Sequence, residues 1–153
     1  MKTLTDPAAK SEIISRIAKL APDSRRLWGK MDVHQMICHL CDSHLLVMGE
    51  MTAAEKSNVI TRSVVRIIAL RVPITWPKGA STVPELDQAA GGGTRPAIFE
   101  ADRARLIDLI HRFTAPKRDF SFAPHPMFAA MSEWEWMRWA YLHADHHLRQ
   151  FGL

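Results

Sequence analysis

The sequence predicts an all-α protein: an antiparallel four-helix bundle with an extra helix and a long Pro/Gly-rich loop inserted between the second and third bundle helices. Three observations carry that prediction. Apolar residues recur at three-four spacing in successive stretches, helix start and stop signals bracket those stretches, and no strand-like alternation of useful length occurs. Apart from the insertion, the connections between amphipathic segments are short or medium, which favours antiparallel neighbours.

The first helix opens at Pro7, carries Ile13, Ile14, Ile17 and Leu20, and ends at Ala21-Pro22, where the proline disfavours continuation. Asp32 is placed as an N-cap for the second, whose apolar positions are Val33, Met36, Ile37, Leu40 and Val47, with Gly49 as its stop. A third helical stretch, about 53–72, is apolar nearly all round, so it is expected to be buried on several sides or shared with a partner subunit. Residues 73–96 then hold Pro73, Pro77, Pro84, Gly79 and the run Gly91-Gly92-Gly93, the composition of an ordered or mobile loop of functional length. The fourth helix spans about 98–114, with Leu106, Leu109, Ile110 and Phe113 on one side. After a loop at 115–131, Ser132 and Glu135 form a capping box for the last helix, which runs to about Phe151.

At 153 residues the chain is long enough to bury one full core, and we take 1–153 as a single domain. With 47% hydrophobic and 24% charged residues it falls in the globular class and outside the disordered one. The net charge of +4 is modest and scattered, lacking the basic stripe and stacking face of a nucleic-acid binder. The greasiest stretch, Val64 to Val72, is interrupted by Arg66 and Arg71, too short and too charged to span a bilayer. Met1 to Lys10 has no apolar run of the secretory kind, and two cysteines three apart make no disulfide framework, so a cytoplasmic location is expected.

Eight histidines are present, three of them in the run His143-Ala144-Asp145-His146-His147. On a helical wheel Trp136, Trp139, Ala140, His143, His147 and Gln150 share an arc of about 100°, which puts two imidazoles on the buried face. A ring nitrogen taken from water without a partner costs roughly 1–3 kcal/mol, so each must find a bond. A metal ion supplies one, since residues four apart on a helix can ligate the same ion. Bonds to carbonyls, or a merely polar surface, are the competing readings. His146 lies at the edge of this face. A metalloprotease pattern is excluded because Ala144 stands where the glutamate base belongs.

A third ligand is needed, and the second helix offers His34, His39 and His44. Periodicity favours His44, within the apolar stripe; His39 lies about 100° to one side and His34 further round. Cys38 and Cys41 enclose His39, but neither haem attachment, a four-sulfur zinc site nor thioredoxin-like chemistry finds its context, and the pair reads as small residues in a packed interface. His111 complements the end of the fourth helix. Trp134, Trp136 and Trp139 read as core, with a ligand pocket as the alternative.

Two stretches near the ends carry a resemblance. Trp28-Gly29-Lys30-Met31 with His34-Gln35-Met36-Ile37-Cys38-His39-Leu40 resembles the early signature of a branch of the DinB-like superfamily. His125-Pro126, Phe128, Met131-Ser132-Glu133, Trp136, and His143 followed by His146-His147-Leu148-Arg149-Gln150-Phe151 resemble that branch's final signature, and Trp76-Pro77-Lys78-Gly79 and Asp87-Gln88 are similar between them. The resemblance implies an antiparallel four-helix bundle, often dimeric, with a metal held by one histidine of the second helix and a pair from the last. By position the ligands here are His39, His143 and His147, in place of the wheel's His44. In one departure, Phe128-Ala129 replaces the usual Phe-Gly before the last helix.

Characterised relatives in that superfamily include thiol-dependent transferases and isomerases, and this branch resembles proteins without an assigned activity. The resulting expectation is a metal-dependent enzyme, a thiol S-transferase or hydrolase, whose three-histidine site holds a divalent metal ion, zinc or nickel foremost. The site would activate a low-molecular-weight thiol or water toward a small electrophilic substrate, with His125 and Trp136 bordering the pocket. The alternative is a non-enzymatic metal- or small-molecule-binding protein acting through a partner. A homodimer through the third helical stretch is a further expectation.

Overall fold

The computed structural model describes residues 1–79 and 82–153. Its regular elements are helical, and no strand occurs among the described residues. Four long helices, α1 (Pro7–Ala18), α2 (Val33–Val47), α4 (Phe99–Phe113) and α5 (Glu133–Arg149), pack about a common core; a short α3 (Arg66–Arg71) rests on α5. α2 lies chiefly against α4, while α1 touches both α4 and α5. Ile13 and Ile17, Met36, Ile37 and Leu40, Leu106, Ile110 and Phe113, and Trp136, Ala140 and Leu148 meet in that core almost without exposure.

The helix starts follow local chemistry. Asp6 Oδ1 accepts from Ala8 N, with Pro7 supplying the fixed φ of a first helical residue. Both capping boxes form: Asp32 with Gln35 at α2, Ser132 with Glu135 at α5. The third stretch departs from expectation. It is helical only from Val59, because Asn58 Oδ1 accepts from Thr61 N while Thr61 Oγ1 accepts from Asn58 N, a cap that stops the helix growing backwards. Residues 53–57 are instead held as irregular chain, by Ala54 N donating to Glu85 and Lys56 N donating to the Pro126 carbonyl. A π-helical turn, Thr61–Val65, precedes α3. Nor is the stretch buried on several sides: Leu70 alone is buried there, and Val59, Ile60, Val64, Ile67 and Ile68 are exposed.

The Pro/Gly-rich insertion, whose Ala80 and Ser81 lie outside the described residues, forms two tight helical turns, Pro84–Leu86 and Gln88–Ala90, which pack on α2. Two of its glycines, Gly92 and Gly93, are close-packed. A Cβ on Gly92 would stand 2.0 Å from the Pro84 carbonyl oxygen, and one on Gly93 would meet the Gln88 and Asp42 side chains at 2.4 and 2.6 Å. Among the described residues, no helix is long and apolar enough to cross a membrane.

Before α5 the chain closes a small loop in which His125 and Ala129 exchange backbone hydrogen bonds of 2.9 and 2.8 Å. Closure requires a left-handed residue, and Ala129 supplies it at φ +58°. Its Cβ makes that conformation cost roughly 1–2 kcal/mol, partly offset by the lower unfolded-state entropy of alanine. Ala129→Gly is therefore expected to raise stability by about 0.5–1 kcal/mol, read as a higher urea midpoint at unchanged slope.

Candidate metal centre

Helix α2 is buried on nearly every side: thirteen of its fifteen residues are buried. A ligand can therefore leave it from more than one face, which is why a single apolar stripe could not choose between His39 and His44. His39 projects toward α5. Its Nε2 stands 3.2 Å from His143 Nε2, and His147 Nε2 lies 3.1 Å from the same atom. The four-residue spacing on α5 places the latter pair side by side. His44 points elsewhere, its ring 5.2 Å from Phe113, with Nδ1–H donating to the Leu40 carbonyl one turn back and Nε2 buried without a partner.

The outer nitrogens settle the tautomers. His39 Nδ1 is 2.8 Å from the Leu86 carbonyl oxygen, which can only accept, so the ring proton sits on Nδ1 and Nε2 presents a lone pair. His147 Nδ1 is 2.8 Å from Gln150 Oε1, with the same consequence. His143 Nε2 thus faces two lone pairs with at most one proton to share, while its own Nδ1 is buried and unpartnered. Such a convergence is repulsive by itself and is relieved by one cation. The three imidazoles form a buried group that could hold a metal ion. The 3.1 and 3.2 Å separations come close to the edge of about 3.3 Å that tetrahedral ligands at about 2.0–2.1 Å subtend.

Burial also sets the charge. It drives the pKa of His39 down, an effect opposed by the Leu86 carbonyl, and drives those of His143 and His147 well down, with His147 and His39 further disfavouring charge on His143, and His39 on His147. Neutral imidazoles are the form that ligates. His143 keeps residual exposure as a residue, whereas His39 and His147 are buried.

Two surrounding devices hold the ligands. The turn that offers Leu86 is fixed through Asp42, fully buried on α2, whose carboxylate accepts from Gln88 Nε2, Thr94 N and Thr94 Oγ1, each at 2.7 Å. Gln150 is fixed from outside: its carbonyl accepts from Leu27 N, and Gly29, at φ +91°, brings the chain so close that a Cβ there would stand 2.8 Å from Gln150 Nε2. Such partners orient metal-binding rings and raise their basicity.

Aromatic rings enclose the group. Trp139 lies 4.9 Å from His143, and Trp76, anchored by Nε1–H donating to the Ala69 carbonyl, lies 6.2 Å from it. Trp28 packs at 4.9 Å on His146, which is buried beside His147 but outside the triad. Trp76 was not singled out by spacing; its place in Trp76-Pro77-Lys78-Gly79 was the available signal. Two further sequence candidates pack away from the three converging nitrogens. Trp136 is 1% exposed and stacked on Phe122 in the core. His125 lies behind Trp139, stacked at 4.6 Å on Phe128, with Nδ1 accepting from Met127 N and Phe128 N, so it organises the loop. A cleft of about 370 Å³ lined by Lys2, Thr75, Trp76, Arg138, Tyr141 and Asp145 shares Trp76 with the surroundings of His143. His111 is exposed in the last turn of α4, and Cys38 and Cys41 are free and buried.

An α5 pair and a single α2 imidazole thus meet within an all-helical frame as a group that could hold a metal ion. The chain belongs to the DUF1569 family, described as a protein of unknown function, whose model matches residues 4–152. No curated protein and no solved structure matches it.

The buried histidines make stability depend on pH. They are neutral in the folded chain and protonate near pH 6.5 once unfolded, so the unfolded state binds more protons below that value. Stability is expected to be full above about pH 6.5 and to fall with pH toward the folded values, about 4 for His44, His125 and His146. Urea unfolding of the metal-free protein at a series of pH values measures this. A flat profile from neutrality to pH 5 contradicts it.

Proposed function

We propose that the protein is a DinB-like four-helix bundle whose metal is held by His39, His143 and His147 and serves a reaction of a small electrophile with a low-molecular-weight thiol or water. The observation that supports this most is the meeting of three Nε2 atoms, two of which belong to rings whose outer nitrogens are already committed, His39 to Leu86 and His147 to Gln150. Three protein ligands without a fourth are the set of a catalytic rather than a structural site. A divalent ion bound there supplies Lewis acidity that lowers the pKa of an adjoining thiol or water.

The chain's own residues do the rest. Neutral rings add no negative charge, so the ligand set leaves the ion's attraction for an anion undiminished. Trp76 and Trp139 exclude bulk water from the rings, which strengthens every charge interaction inside. Trp76, packed 6.2 Å from His143, borders the ring on the side of the insertion. Zinc or nickel suits imidazole ligands.

The burial of His39 and His147 supports a second reading, in which the protein binds a metal or small molecule without turning it over and acts through a partner. Elemental analysis of untagged protein is expected to find a divalent ion at the triad, lost in His39→Ala and in His143→Ala while the helical fold persists. Full metal retention in both variants refutes the site. Turnover of electrophiles that requires added thiol favours the transferase, turnover indifferent to thiol the hydrolase, and metal binding without turnover the second reading. Within the same site, Gln150→Ala is expected to weaken zinc by about 10–100-fold through His147 alone, as measured by competition with a chelator.

A further inference from the structure

The opposite side of α2 repeats the arrangement with different atoms. His34 and Cys38, four apart, face the first turns of α4, where Asp102 stands. Asp102 Oδ2 accepts from His34 Nε2 at 2.7 Å and from Ala97 N at 3.2 Å, and Cys38 Sγ approaches it at 3.9 Å. The three donor atoms, a nitrogen, a sulfur and an oxygen, lie within 4.8 Å of one another. In the triad α5 provides the pair and α2 the single ligand; here α2 provides the pair and α4 the single ligand.

We propose that His34, Cys38 and Asp102 form a second metal site, for a divalent transition ion of the zinc class. An ion pair joining α2 to α4 would need only His34 and Asp102, and a thiol at 3.9 Å adds little to it. Nitrogen, thiolate and carboxylate together are a donor set that suits zinc and its neighbours and disfavours magnesium and calcium. The side chains of His34 and Asp102 are 20% and 15% exposed, so an ion can enter from that rim and solvent can complete its coordination, while Cys38 closes the inner side at 1% exposure. Entry requires His34 and Asp102 to part by about half an ångström, toward the ligand spacing of a tetrahedral ion. The thiol proton leaves to solvent, and the proton that His34 Nε2 donates to Asp102 passes through solvent to Nδ1, leaving a neutral ring with Nε2 free to ligate. The site does not depend on the triad reading, since it shares no ligand with it.

Cobalt(II) reports the two sites separately, because thiolate ligation adds a charge-transfer band in the near ultraviolet that imidazoles do not produce. Oxygen-free titration of the reduced, metal-free full chain is expected to show that band. Cys38→Ser should abolish it and lower the cobalt bound by one ion per chain, whereas Cys41→Ser should keep it. Asp102→Asn should retain the band with affinity weakened at least about tenfold. His39→Ala and His143→Ala should leave the band intact, so a failure of the triad reading shows as a thiolate-bound ion without a second one. No thiolate band in the wild-type protein, or an undiminished one in Cys38→Ser, overturns the proposal. Should Cys38→Ser not fold, an affinity unchanged in Asp102→Asn overturns it equally.

Discussion

The constraint on which the rest depends is the burial of imidazole nitrogens in an apolar helical interior. Each ring carries two nitrogens that water would otherwise satisfy, and at His39 and His147 the chain satisfies one nitrogen with a fixed acceptor and turns the other inward. That choice makes the rings neutral, fixes their tautomers and aims their lone pairs at one place. His44 shows the contrast: buried as deeply, it satisfies Nδ1 on its own helix and is left out of the group.

Holding those acceptors in place explains features that otherwise look loose. The insertion after α3 is tied to α2 by the buried carboxylate of Asp42, and Gly92 and Gly93 sit where backbone and side chains approach too closely for a Cβ, while Gly91 takes a left-handed φ of +87°. Gly29 does the same near the amino end, letting residues 27–29 close on Gln150. Groups far apart in sequence, Leu86 and Gln150, thus support His39 on α2 and His147 on α5 from outside, the arrangement by which metal ligands are oriented.

Helix α2 is the shared wall. Buried nearly all round, it turns His39 to one neighbour and His34 with Cys38 to another. A helix so used cannot be amphipathic in the ordinary sense, and its sequence shows histidines and cysteines distributed around the wheel. The exposed isoleucines and valines along 59–68 are the reverse case, a surface helix carrying apolar residues outward.

Helical class, the starts of α1, α2 and α5, and the α5 histidine pair were legible in the sequence because they rest on contacts within a few residues: caps, the three-four period, and a four-residue spacing. The resemblance pointed to His39, where periodicity pointed to His44. Other features were decided only by tertiary structure. The place of Trp136 depended on Phe122 in the core, that of His125 on its packing against Trp139, and that of Trp76 on a long insertion folding back, whereas the start of the third helix rested on a local Asn58–Thr61 cap that the apolar run masked. The physical reason is common to these side chains: periodicity says that a face is buried but not against what, and a ring nitrogen's role is set by the atom opposite it.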